Sequence, residues 1–199
     1  MPNYSETIEN LIEQFSRLPG IGARTAERLA FHLLKAPDAE AHALADAVRA
    51  VKERIRPCSV CFNLAEDELC SICANPRRDK GVICVVEQPK DLLALESTGA
   101  YSGVYHVLMG HIDPLENVDA DDLTIDALVE RVRSSEVREV ILATNPTVAG
   151  DGTSLHLMSL LEGLGAEVSR LARGLPTGGQ IEYANKSILT DALNERRHL

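Results

Sequence analysis

The sequence predicts an α/β protein with a helical N-terminal region, a short cysteine-rich segment, a mainly parallel α/β domain and a C-terminal tail. Three observations carry this reading. Apolar residues recur at helical spacing before residue 57, two CxxC pairs follow at residues 58–73, and apolar strands alternate with helices between residues 81 and 171. The divisions fall at 1–56, 57–76, 80–173 and 174–199. At 199 residues the chain has ample apolar content for a core.

In the N-terminal region, Asn3 and Ser5 are candidate caps before Ile8, Leu11, Ile12, Phe15 and Leu18. Pro19-Gly20-Ile21-Gly22 breaks that pattern. A second helix begins near Ala23 and is expected to bury Ala26, Leu29, Ala30 and Leu33. Pro37-Asp38 opens a third, with Leu44, Val48, Val51 and Ile55 on its apolar side. Arg49, Lys52, Arg54 and Arg56 lie near its end, where cations suit the helix dipole, and Pro57 stops it.

Beyond the cysteines, Gly81–Val86 reads as a buried parallel strand, followed by a helix from Pro89 to about Ser97. Tyr105–Met109 and Glu139–Ala143 are further strands with a helix from Ile125 to Val132 between them. A helix from Ser154 to Leu164 and a strand from Glu167 to Leu171 complete the alternation. Cys84, in the middle of an apolar strand, is expected to be a buried core residue.

The net charge of −10 is unevenly spread. Residues 1–57 hold eight basic and eight acidic side chains, whereas residues 82–140 hold twelve acidic and four basic ones. The middle segment repels DNA and the N-terminal one tolerates it; the acidic stretch is either a solvated surface or a docking face for a basic partner. No leader-like segment or membrane-length apolar run is seen, so a soluble cytoplasmic, nucleoid-associated protein is expected. There thiols stay reduced, and five cysteines point to metal or redox chemistry rather than disulfides.

Cys58, Cys61, Cys70 and Cys73 form two CxxC knuckles. Each brings two sulfurs to one metal at about 2.3 Å, and two knuckles close a tetrahedron. The expected metal is one structural zinc per chain, with no open position for hydrolysis. The segment is too short for its own apolar core, and metal binding worth roughly 10–16 kcal/mol would fold it. Redox thiols and an iron–sulfur cluster are the alternatives.

Leu18 to Ala26 fits a helix-hairpin-helix. Gly20 and Gly22 permit a tight turn and leave backbone N–H groups uncovered at a helix N-terminus, a geometry that binds phosphate. Arg24 and Arg28, one turn apart, would reach neighbouring phosphates. Such contacts carry no base information, so DNA binding is expected to be sequence-independent and salt-sensitive. Seven aromatic residues and no Trp argue against a stacking platform for single strands.

Strand Gly81–Val86 ends in Glu87, and strand Glu139–Ala143 runs into Thr144 to Asp151. This layout resembles the Toprim domain, the metal-binding module of topoisomerases and primases, whose later strand carries a DxD pair in a run like ATDPDxEGE. Here Asn145 and Thr147 replace both aspartates. Magnesium is held by carboxylates and substrate phosphates, so Glu87 and Asp151 alone make a poor cage. Glu87 reads as a strand-end surface carboxylate, and no catalysis is expected. His32, His106 and His156 are expected to be packed or surface residues; His42, His111 and His198 give no signal.

Taken together, these residues resemble the RecR family of bacterial recombination mediators over nearly the whole chain. The likeness rests on Leu18 to Gly22, Arg28 to Leu34, the four cysteines, Ile83 to Glu87, Tyr105 to Leu108, Ile141 to Thr144 and Gly174 to Gly179. It implies a partner of RecO and RecF that helps RecA load at gapped or tailed DNA, and a ring-shaped homotetramer built through N- and C-terminal contacts. It also implies that Arg24 and Arg28 face DNA. Gln180 to Asn185 resembles a family segment likened to a Walker B strand, but ends in Asn185 where Asp is usual. Ala149 stands where Glu is common, and Asn194-Glu195-Arg196 replaces a usual Gly-Arg ending. No GxxxxGK[ST] run occurs. Two other readings remain: a Toprim-type magnesium-dependent nuclease or topoisomerase-like enzyme, tested by magnesium-dependent cleavage, and a zinc adaptor binding only proteins, tested by a low-salt gel shift.

Overall fold

The computed structural model describes residues 4–196, so Asn3 and His198 lie outside the described residues. The chain divides into two compact units, Met1–Ile55 and Arg56–Leu199. No helix among the described residues is long and apolar enough to cross a membrane.

The first unit holds α1 (Glu6–Ser16), α2 (Ala23–Lys35) and α3 (Asp38–Arg54). Ser5 occupies the N-cap of α1, but its side chain makes no capping bond. Helix α1 packs on α2, where Ala26 and Ala30 are buried because small side chains let the helices approach. Tyr4 closes the packing, donating to Glu27 at 2.7 Å and standing edge-on to Phe31. Two expectations need correction. Leu29 is exposed and Leu33 only half-buried, and among the described residues nothing covers the apolar side of α3: Leu44, Val48 and Val51 are 44%, 60% and 59% exposed. The 3.6-residue period identifies which face is apolar, but not what covers it.

The second unit begins with β1 (Arg56–Pro57) and β2 (Leu64–Ala65), a short antiparallel pair, and the single turn α4 (Ser71–Ala74). Then come β3 (Asp79–Val86), α5 (Pro89–Glu96), β4 (Gly103–Val107), α6 (Ile125–Ser134), β5 (Glu139–Leu142), α7 (Val148–Leu161), β6 (Glu167–Arg170) and α8 (Lys186–Asn194). The four longer strands form a parallel sheet in the order β4-β3-β5-β6. Alternation along β3 splits its side chains between two cores. Ile83 and Val85 join Val140, Leu142 and the α6 and α7 residues Leu128, Val132, Leu157 and Leu161. Cys84 and Val86 join Leu92, Tyr105, Val107 and the four zinc-motif cysteines. Cys84 is thus buried as expected, and burial pushes its thiol up to about 12.

Three of the expected elements differ by more than a residue or two at an end or in kind. The strand expected at Tyr105–Met109 is Gly103–Val107, with Met109 in a left-handed turn at φ 68°. Helix α7 starts at Val148 rather than Ser154, because Thr147 caps it by accepting from the Gly150 N–H at 3.0 Å. The stretch resembling a Walker B strand is a single 3-10 turn at Ile181–Tyr183, after which Asn185 caps α8 by accepting from the Ile188 N–H.

Candidate functional site

The cysteine segment is wound by its own backbone. The Cys58 N–H donates to the Asn63 carbonyl at 2.7 Å, the Phe62 N–H returns to the Cys58 carbonyl, and Phe62 takes φ 62° to close the first knuckle. That left-handed backbone, uncommon for a bulky residue, is held by edge-on packing of Phe62 on His106 at 5.4 Å. The Cys61 carbonyl accepts from the Val107 N–H at 2.8 Å, fastening the knuckle to β4.

All four thiols are buried, and their sulfurs lie within 4.8 Å of one another, with Cys61 and Cys70 at 3.5 Å. Four sulfurs bound to one zinc would stand about 3.8 Å apart, so the spacing matches one tetrahedral ion. Burial pushes the Cys58 thiol up, but the N–H groups of Cys70, Val60 and Cys61 outweigh it and bring it down to about 7. Hydrogen bonding to Cys73 and then burial push Cys61 up. Donor type, spacing and burial fit one structural zinc per chain. Bound there, zinc would supply cross-linking of the segment.

Of the degenerate Toprim positions only Asn145 meets Glu87, while Thr147 and Asp151 are bonded elsewhere. Glu87 is not a surface carboxylate: it is 3% exposed. Its Oε1 accepts from the Asn145 N–H and its Oε2 from the Asn145 side-chain amide, both at 2.7 Å, while His111 Nδ1 lies 3.1 Å from Oε2. Gly150 permits this closeness, since a Cβ there would stand 2.1 Å from the Asn145 carbonyl oxygen. Thr147 does not face Glu87; its hydroxyl is occupied as the cap of α7. Asp151, in the first turn of α7, is gripped by Arg173 and Arg170, and the Arg173 guanidinium chiefly holds its carboxyl below the usual range. The two surviving acids are therefore bonded to an amide and to two cations rather than turned toward a shared metal. Neither His111 nor the two arginines could be found from sequence, because no spacing rule links them to the site.

In the other unit, Gly20 adopts φ 79° and makes the turn. Gly22 is the N-cap of α2 with an ordinary φ of −83°, and a Cβ there would meet nothing within 4 Å. Among the described residues, the N–H groups of Gly22, Ala23 and Arg24 have no backbone acceptor. Arg24 and Arg28 are exposed and form no ion pair among the described residues.

Comparison with known proteins agrees with these parts. Family models described as RecR helix-hairpin-helix, RecR four-cysteine zinc finger domain and Toprim domain match residues 8–52, 55–75 and 81–172. A recombination protein RecR from Rhodopirellula baltica is 54% identical over 199 residues, the whole of both chains. One from Chloroflexus aggregans is 55% identical over 192 residues, 96% of this chain and 94% of its own. One from Rubrobacter xylanophilus is 52% identical over the full length of both.

Proposed function

The chain belongs to the RecR family of recombination proteins, and from that premise we propose that it is a non-catalytic DNA-binding mediator of recombinational repair. It acts with RecO and RecF to help RecA load at gapped or tailed DNA, as a homotetrameric clamp. The observation that carries this is the bare hairpin. Among the described residues Gly22 has no conformational or packing reason to be glycine, whereas a phosphate drawn onto the uncovered amides of residues 22–24 would use the space a Cβ would take. Arg24 and Arg28 then supply cations that the fold leaves unpaired among the described residues.

Assembly is supported by apolar surface at both ends of the chain. Ile8, Leu11, Phe15, Leu33, Leu44 and Val48 line a groove in the first unit. Leu175, Ile181, Tyr183 and Leu193 are exposed in the C-terminal segment. A single chain offers few phosphate contacts, so assembly is what makes loose grip effective. The non-catalytic reading is supported by the engagement of Glu87 and Asp151 by Asn145, Arg170 and Arg173.

The test is RecA-dependent ATP hydrolysis on gapped duplex coated with single-strand-binding protein, with and without this chain and RecO. Faster onset only when both are present is expected, together with a tetramer mass by light scattering. No acceleration, or magnesium-dependent strand cleavage requiring Glu87, would sink the proposal.

A further inference from the structure

Zinc bound by four thiolates carries a net charge of −2, and here it would sit among cysteines that are all buried. Backbone N–H groups answer part of that charge, as where the Cys73 N–H donates to Cys70 Sγ at 3.5 Å. These are partial charges, and a buried double charge calls for a full cation nearby.

One is present, and it comes from outside the cysteine segment. Arg131 projects from α6, which packs on the opposite face of the sheet. β4 is an edge strand, and two of its outward backbone groups are met from neighbouring elements: the Val107 N–H by the Cys61 carbonyl, the Tyr105 carbonyl by Arg131 Nη1 at 2.8 Å. Arg131 therefore lies along the edge of β4 beside the first knuckle. It lines a cleft of about 420 Å³ together with Cys73, Val60 and Leu69 from the zinc segment. Glu136 and Arg138 line the same cleft, but Arg138 is paired with Asp79 and no carboxylate pairs with Arg131 among the described residues. Burial pulls the Arg131 pKa down, and the thiols of Cys73, Cys61 and Cys58, in that order, hold it up. An arginine stays charged under such pressure.

We propose that Arg131 is the resident counter-charge of the four-cysteine zinc site, positioned by the Tyr105 carbonyl so that metal retention depends on the α/β domain. The cysteine segment alone would hold zinc less well than the intact chain, because its compensating cation is encoded in α6. The same guanidinium occupies one outer carbonyl of β4, so its loss would free that carbonyl as well as remove the charge.

Transfer of zinc from the intact holoprotein to a chromogenic chelator tests this. Arg131→Gln keeps a donor for the Tyr105 carbonyl and loses the charge; Arg131→Lys keeps the charge and loses the planar fork. We expect Arg131→Gln to yield its zinc about tenfold more readily, in line with the effect of residues that support metal ligands, and Arg131→Lys to stay close to native. In a Cys73→His background, where the bound site carries −1, the penalty for Arg131→Gln should shrink. A merely structural arginine would give the same penalty in both backgrounds. That result, or native zinc retention by a folded Arg131→Gln chain, overturns the proposal. Should Arg131→Gln fail to fold, Arg131→Lys still decides: near-native retention supports the charge account, and zinc loss as ready as from Cys73→His sinks it.

Discussion

Replacing Arg24 and Arg28 together by Ala isolates the hairpin's share of DNA binding. Both side chains are exposed and outside any ion pair among the described residues, so their loss should change stability by less than about 0.5 kcal/mol. If each neutralises one duplex phosphate, the slope of log K against log salt shrinks by about 0.9 per contact, or about 1.8 for the pair in each engaged subunit. Between about 50 and 200 mM salt the native chain should then lose roughly 12-fold more affinity than the variant for each subunit engaged. Fluorescence anisotropy on a labelled gapped duplex over that salt range measures both quantities. Light scattering and zinc content must match between the two proteins. The loss should be equal on unrelated sequences, because phosphate contacts carry no base information. Native affinity with an unchanged slope would refute the assignment of the hairpin as the DNA-contacting element.

Further outcomes follow from the second unit. Elemental analysis should find one zinc per chain, and Cys61→Ser or Cys70→Ser should release it and unfold residues 57–76; iron in its place, or no metal, would contradict this. Burial pulls the His106 imidazole down to about 4 from 6.5, so the unfolded chain takes up its proton first as pH falls. Its contribution is full above about pH 6.5 and is lost as pH falls through about 4, amounting to roughly 3 kcal/mol. Urea midpoints of His106→Gln should therefore fall less steeply than native ones across that window, and parallel curves would count against the burial account. Asn145→Asp would set a carboxylate against Glu87 in place of the amide donor, at a cost of about 2–4 kcal/mol. Calorimetry should show a lowered melting temperature that millimolar magnesium partly restores; an unshifted one would mean that the Glu87 contacts are not formed.

What the sequence revealed depended on whether local pattern or distant contact decided the structure. The run from Val82 to Val86 is apolar on both faces, and only a strand covered on both sides uses such a run, so β3 was legible. The cysteine spacing was legible for a similar reason, because the knuckle itself supplies the geometry. Helix α7 was read six residues late, since Gly150 and Gly152 are poor helix formers. The Thr147 cap and the bond from the Thr144 hydroxyl to the Gly150 carbonyl override that weakness. Glu87 was misread because a carboxylate after an apolar strand looks the same in water or in a network. What buries it are Asn145 and His111, 58 and 24 residues away. Leu44, Val48 and Val51 show a further limit: a periodic pattern marks a surface that wants covering, without saying that the covering belongs to the same chain.

The strand order also sets a timetable for a chain still being made. The central β3 begins at residue 79, but its second neighbour β5 is complete only at residue 142. At about 5–20 residues per second, roughly 3 to 13 s of synthesis separate the two. During that interval Ile83 to Val86 form an unpaired apolar edge, the kind of surface that draws other nascent chains. All four cysteines precede β3, so the segment can begin to take up metal before the first strand of the parallel sheet is complete, although its full hold on the metal waits for α6. A segment that has taken up metal offers its Cys61 carbonyl to the Val107 N–H when β4 emerges, so the sheet grows against a partly ordered neighbour. In a zinc-starved cell the shortfall should therefore appear first as newborn chains trapped in aggregates, before any defect in completed chains can be seen.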